Sequence, residues 1–323
     1  MGLLAGIDIG GTKCVVCIGR SDGEKVEILK KRRFHTPSTP RETLDALLDA
    51  LQELQAECGA PDAVGVACGG PLETGRGLIL SPPNLPGWDS VDVLTPLRER
   101  FGVLAALEND ANACALAEWR WGAGQGCRNL IFLTFSTGMG AGLILDGRLY
   151  AGTNGLAGEM GHIRMEPEGP VGYGKAGSFE GFCSGGGLVQ LARARAEKKL
   201  REGRGGPLYC PTFKDLPAVT AEAVGRAARK GDALAQEVFG TVGMQLGRGL
   251  AILVDLLNPE RIILGTIYGS QQSLLEPVVL RVLEKEALPL ASSVCRIVPA
   301  GLKEDIGAWA GLAIALDTLS GHR

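Results

Sequence analysis

Two short segments with the same build, a strand, a glycine-rich turn and a second strand, lie roughly 128 residues apart and limit what this chain can fold into. The first runs from LLAGIDI (3–9) through Gly10-Gly11 to CVVCI (14–18). The second runs from LIFLTF (130–135) through STGMGAG (136–142) to LIL (143–145). Each reads as a hairpin with a glycine tip, and the repeat predicts two similarly built domains facing each other. Between the copies, Leu44, Leu47, Leu48, Leu51 and Leu54 recur at helical spacing and predict a helix over 42–57 with one buried face. Strands are expected at 63–67 and 104–107, each running into a loop tip, and a helix at 112–121. Beyond the second copy, helices are expected at 188–200, 221–230, 233–257 and 308–319, and a strand at 261–264. Strands alternating with helices predict an α/β fold. The loose glycine segment 122–126 sets a boundary, giving a domain of 1–121 and a larger one of 122–302.

Composition narrows the function classes. The chain has 323 residues, 45% hydrophobic and 21% charged, enough for a large core, so disorder and a small disulfide scaffold are excluded. A net charge of -3 leaves no electrostatic footprint for nucleic acid or an anionic membrane, and a small substrate is expected. Nine cysteines without clustered spacing read as reduced thiols. Cys14 and Cys17, three apart in a predicted strand, should point to opposite faces as packed thiols. No stretch approaches about 18 unbroken apolar residues, and the start of the chain lacks a basic leader. A cytoplasmic location is therefore expected. The one excess is glycine, 48 residues, about twice the usual 7% share.

The glycine turns carry the chemistry. Asp8-Ile9-Gly10-Gly11-Thr12-Lys13 places a carboxylate at a strand end and two glycines in the turn, where backbone amides can approach an anion unobstructed by a Cβ. Alone, this is equally an ordinary hairpin tip. Thr137-Gly138-Met139-Gly140 in the second copy adds another set of amides and a hydroxyl, and two phosphate-cradling turns point to a nucleoside triphosphate. No P-loop and no dinucleotide fingerprint is present. Asp110, after Asn109 at a strand end and before a helix, can serve as a general base or simply cap that helix, and the two roles are compatible.

DIGGTK (8–13), SPPNLPGW (81–88), LENDANA (107–113), TGMGAG (137–142), GEMGH (158–162), FEGFCSG (179–185), NPERIILG (258–265) and GAWAGLAIAL (307–316) together resemble the ROK family (repressor, open reading frame, kinase) along nearly the whole chain. The resemblance implies two ribonuclease-H-like domains of the actin and hexokinase type, with ATP and sugar in the cleft between them and residues 303–323 returning to the first domain. It assigns Asp110 the base role and Asn109 a sugar hydroxyl. With Gly70 and Asn84, it also gives sugar binding to Glu159, His162 and Glu180, two carboxylates and an imidazole suited to hydroxyls that both donate and accept. A lone histidine is otherwise more readily a core residue. On the nucleotide side it implies Asp8, Gly10, Gly11, Thr12, Lys13, Thr137, Gly138 and Gly265, with magnesium bridging the phosphates and Asp8 its partner through water.

The activity so implied is ATP-dependent phosphorylation of a hexose, glucose at O6, with N-acetylmannosamine, N-acetylglucosamine or fructose as alternative acceptors and polyphosphate as an open alternative donor. Relatives also imply a homo-oligomer, a dimer. The family's sugar-sensing repressors carry a DNA-binding domain ahead of the first glycine motif. Here that motif begins at Asp8, so an enzyme without a nucleic-acid or membrane partner is expected.

The chain departs from the family at the zinc positions and at one glycine pair. Many members hold a structural zinc with three thiolates and the histidine of ExGH. Here Val171, Tyr173 and Ser178 stand at the cysteine positions, and because tetrahedral zinc needs four donors no structural zinc is expected. Gly265-Thr266 also replaces a glycine pair.

Overall fold

Residues 2–9 are apolar on both faces, which is the pattern of a central strand rather than an edge. In the computed structural model, which describes residues 2–203 and 205–321, this segment is β1 (Gly2–Ile9). It pairs antiparallel with β2 (Lys13–Ser21), which pairs with β3 (Val26–His35). On its other side β1 runs parallel to β4 (Ala63–Cys68), and β4 to β5 (Leu104–Asn109). The sheet order is β3-β2-β1-β4-β5.

Alternation along β1 and β2 divides the core. Ile7, Ile9, Cys14 and Val16 face Leu47, Leu51 and Leu54 of α1 (Pro40–Cys58), a helix begun by Thr39, which accepts the Glu42 amide. Leu4, Val15 and Cys17 face Leu312 and Ala315 of the C-terminal helix Ile306–Leu319. Cys14 and Cys17 thus lie on opposite faces, as their spacing requires, and no disulfide is formed among the described residues. The C-terminal helix sits backbone to backbone on the sheet: a Cβ on Gly65 would collide with the Gly311 carbonyl.

The chain groups into two compact units, one of Met1–Arg128, Gly142–Ala157 and Gly301–Arg323, the other of Asn129–Ala141 and Gly158–Ala300. Met1 and residues 322–323 of the expected first domain, and Arg204 of the second, lie outside the described residues. Residues 142–157 group with the first unit because Gly142 seats against Ala111, with Ala115 2.6 Å from where its Cβ would stand. In the second unit, Leu130–Leu133, Arg261–Leu264 and Arg296–Pro299 run parallel. Helix Ala233–Leu257, the one described helix long and apolar enough to cross a membrane, buries thirteen of its residues here. It packs on helix Thr266–Glu286 through Gly243 and Gly247, which face Val278 and Val282.

Several elements escape a reading of apolar periodicity. Strand β3 is masked by the charge run Lys30–Arg33, yet those cations face carboxylates across the surface: Lys30 and Arg32 pair with Glu57, Lys31 and Arg33 with Asp305. Such an edge is blunted by charge. The Thr95–Phe101 helix and the Arg296–Pro299 strand are short, and Thr266–Glu286 carries Pro277 inside and a kink at Gln271 that blur its pattern. The expected loop after 107 is absent: β5 continues to Asn109 and the helix Asp110–Trp121 starts at the next residue. Helix Gly185–Arg201 starts three residues earlier than its apolar pattern, because Ser184 caps it by accepting the Gly187 amide.

Candidate active site

Parallel strands leave their carboxyl ends open, and ligands gather there. In the first unit the ends of β1, β4 and β5 lie side by side, with Asp8 opposite Ala67, Ala67 opposite Glu108 and Cys68 opposite Asn109. The residues that follow converge. Asn109 is the N-cap of its helix, its Oδ1 accepting the amides of Ala111 (2.9 Å) and Asn112 (3.4 Å). Its Nδ2 is left toward Gly70, 3.5 Å from where a Cβ on that glycine would stand. Buried Glu108 supports the corner by accepting from the Asn109 amide and the Asn112 side chain. Asp110 has Oδ1 held by the Ala111 amide at 2.8 Å, while Oδ2 lies beside Gly69. Capping and chemistry are therefore divided between neighbours, Asn109 capping and Asp110 presenting a carboxylate oxygen.

Burial pushes the Asp110 carboxyl above the usual range, and the Ala111 amide opposes it. Asp8 is pushed up to about 7, first by burial and then by the charge of Asp110, with Lys13 and Arg33 pulling the other way. Two repelling carboxyls beside one lysine form a site in need of positive charge. That donor set fits a hydrated divalent cation.

The first glycine turn serves packing as well as anion approach. The Gly10 amide donates to the Lys13 carbonyl at 3.1 Å and closes the hairpin. A Cβ on Gly11 would collide with the Asn84 carbonyl, so this glycine is required by the neighbouring loop itself. Buried Leu85 and Trp88 anchor that loop and leave Asn84 exposed beside the turn. Asp8, Gly10, Gly11, Thr12, Lys13, Gly70, Asn84, Asn109 and Asp110 form one neighbourhood at this end of the sheet.

The second unit joins three motifs that lie apart in sequence. The turn at 137–140 closes on itself: the Ser136 amide donates to Gly138 and the Gly140 amide to the Thr134 hydroxyl. The Met139 amide donates to Glu180 Oε2 at 3.0 Å. Of the turn's amides, those of Thr137 and Gly138 are the ones without such a described bond. Gly161 lies against the Met139 carbonyl and 3.3 Å from Glu180 by the same Cβ measure, so GEMGH rests on the turn and on Glu180. Glu159 precedes and His162 ends a one-turn 3-10 helix, both exposed, the His162 amide donating to the Glu159 carbonyl at 3.1 Å. Gly265 abuts Thr134, and its amide donates to Leu133 at 2.8 Å as the next helix begins.

The residues at the zinc-ligand positions do not fit a tetrahedral metal. Ser178 caps a short helix by accepting the Gly181 amide, Tyr173 packs its ring on His162, and Val171 is bound through its backbone by Gln190. Among the described residues no group of three or more His, Cys, Asp or Glu could hold a metal.

A residue the motifs did not flag is Glu118, buried in the helix Asp110–Trp121 and accepting the amides of Ala123 (2.7 Å), Gly301 (3.0 Å) and Leu302 (2.9 Å). It ties the point where the chain leaves the first unit to the point where it returns. Nothing in its local sequence distinguishes it from a solvated helix glutamate.

A sheet of antiparallel meander plus parallel strands, with carboxylates at the strand ends and glycine turns beside them, is the ribonuclease-H-like build of the actin and hexokinase class. The ROK family profile matches residues 4–318, and the chain belongs to that family. Among relatives, a glucokinase of Streptomyces coelicolor is 34% identical over 273 residues, 82% of each chain. The Escherichia coli DNA-binding transcriptional dual regulator NagC is 30% identical over 294 residues, 88% of this chain and 69% of that protein. The structure of a ROK glucokinase from Streptomyces griseus in complex with glucose and AMPPNP superposes with a TM-score of 0.78 at 30% identity, covering 97% of this chain and 99% of that one.

Proposed function

We propose that this chain is an ATP-dependent sugar kinase that transfers the γ-phosphoryl group to the O6 hydroxyl of glucose. The observation that carries the reading is Asp110, a carboxylate at the end of a parallel strand with one oxygen pinned and the other turned toward the Gly69-Gly70 turn. Phosphoryl transfer asks little covalent chemistry of a protein beyond placing groups and neutralising charge. In this reading Asp110 Oδ2 takes the proton of the attacking hydroxyl, the sugar oxygen bonds to the γ-phosphorus, and the bond to the β-phosphate oxygen breaks to release ADP. Asn109 Nδ2 and Asn84 hold sugar hydroxyls, as do Glu159, His162 and Glu180 of the second unit. The exposed amides and hydroxyls of Thr12 and Thr137, with Lys13 and Gly138, bind phosphate oxygens, and Gly265 lies toward the nucleoside. Magnesium bound with the nucleotide would supply charge neutralisation between the phosphates, with Asp8 its partner through water.

Support for glucose comes from the glucokinase relatives and from the glucose complex of the Streptomyces griseus enzyme. Support for an N-acetylhexosamine comes from another relative, the N-acetylglucosamine repressor of Escherichia coli O6:H1. Assays across glucose, mannose, fructose, N-acetylglucosamine and N-acetylmannosamine, reading ADP release with ATP as donor and sugar-phosphate formation with polyphosphate as donor, test the reading. Glucose with ATP is expected to give the highest kcat/KM. Absence of ADP release with every sugar would refute it.

A further inference from the structure

The segment at the positions where the family resemblance would place zinc ligands is a β-hairpin with a two-residue turn. Val171–Gly172 pairs with Lys175–Ala176, and the turn residues Tyr173 and Gly174 both have positive φ, 41° and 75°, the backbone of a type I′ turn. Its base is fixed by Gln190, whose amide group mimics a neighbouring strand: Nε2 donates to the Val171 carbonyl and Oε1 accepts the Val171 amide, both at 2.9 Å. Arg164 donates to the Ala176 carbonyl at 2.7 Å. One face of the hairpin is pressed onto Glu180, since a Cβ on Gly172 would lie 2.8 Å from that of Glu180.

From this fixed base the tip reaches His162. The Tyr173 ring meets the imidazole edge to face, with centroids 5.1 Å apart and an interplanar angle of 81°. Lys175 Nζ donates to the His162 carbonyl at 2.6 Å. His162 is exposed, and among the described residues its ring nitrogens make no hydrogen bond, so the contact with Tyr173 is what sets the ring plane. Tyr173 is itself 58% exposed and held in left-handed backbone, a costly arrangement for a large ring that serves only as a turn.

We infer that Tyr173 is a positioning residue for sugar binding: the hairpin Val171–Ala176 holds Tyr173 against His162 and so aims the imidazole at a sugar hydroxyl. This rests on the proposed role of His162. Packing here does what a metal–histidine bond would otherwise do, which is to remove rotational freedom from an exposed ring before substrate arrives.

The test uses the full chain and two variants. Tyr173→Asn removes the ring while keeping a residue that tolerates positive φ; Tyr173→Phe keeps the ring and removes the hydroxyl. Sugar KM, ATP KM and kcat are measured for each, and the His162 imidazole proton shifts are followed by NMR, assigned by their loss in His162→Gln. The asparagine variant is expected to raise the sugar KM by about three- to ten-fold, the range an edge-to-face contact supplies, with the ATP KM unchanged and the His162 shifts moved away from their ring-current position. The phenylalanine variant should behave as wild type in both readouts. An unchanged sugar KM and unchanged His162 shifts in Tyr173→Asn, or a Tyr173→Phe as impaired as Tyr173→Asn, would overturn the inference. If wild-type protein phosphorylated no sugar, the proposed function would fail, while the NMR shifts would still report whether Tyr173 orders the ring.

Discussion

The Met139 amide donates to the Glu180 carboxylate at 3.0 Å, so a proposed sugar ligand also closes the glycine turn proposed to hold phosphate. Removing the acceptor should affect both substrates. Glu180→Ala is expected to raise the KM for sugar and the KM for ATP together. Glu180→Gln, whose amide oxygen can still accept from Met139, should raise the sugar KM alone. Initial rates with each substrate varied in turn distinguish the two patterns. An alanine variant with a wild-type ATP KM would show that the tether is dispensable to the turn.

Asp110→Asn keeps an oxygen to accept the Ala111 amide and should fold normally. Without a carboxylate it cannot take the hydroxyl proton, and turnover should fall by roughly 10²-fold or more. Sugar binding, measured by calorimetry on the same protein, should be retained. Near-normal turnover in the folded variant would assign the proton to another group.

The raised Asp8 carboxyl makes stability depend on pH. Its folded value of about 7 lies above the ordinary carboxylate value of about 4. Its neutral form therefore favours the fold fully below pH 4, and this contribution is lost as the pH rises through about 7. Asp8→Asn is neutral throughout and loses nothing. Thermal melts from pH 4 to 9 should show the Tm of the variant gaining on wild type between pH 4 and 7, by on the order of a few degrees, and levelling off above. A pH-independent gap would mean that burial of the charge has been overstated.

Glu118 is buried and holds three amides across a return of the chain. Glu118→Gln replaces one acceptor oxygen with a donor facing N–H groups, and a loss of about 2–3 kcal/mol is expected, or roughly 3–5 °C in Tm for a chain of this size. Denaturant titration gives the number. Unchanged stability would mean that solvent replaces the lost bond.

The sequence by itself determined the alternation that makes the fold α/β, the hairpins at the glycine turns and the opposed packing of Cys14 and Cys17, because these follow from local geometry with periods of 2.0 and 3.6 residues. The glycine turn and the strand end pointed to Asp8 and Asp110, and the resemblance to the ROK family brought Asn109, Glu159, His162 and Glu180 to notice. What it could not supply were contacts between segments distant in the chain. Tertiary structure decided that Gly11 yields space to Asn84, that Met139 is tied to Glu180, that Glu118 braces residues 301–302, and that Tyr173 settles on His162. A side chain's local sequence fixes the direction in which it leaves the backbone, whereas its partner depends on how the whole sheet and its covering helices bring remote segments together.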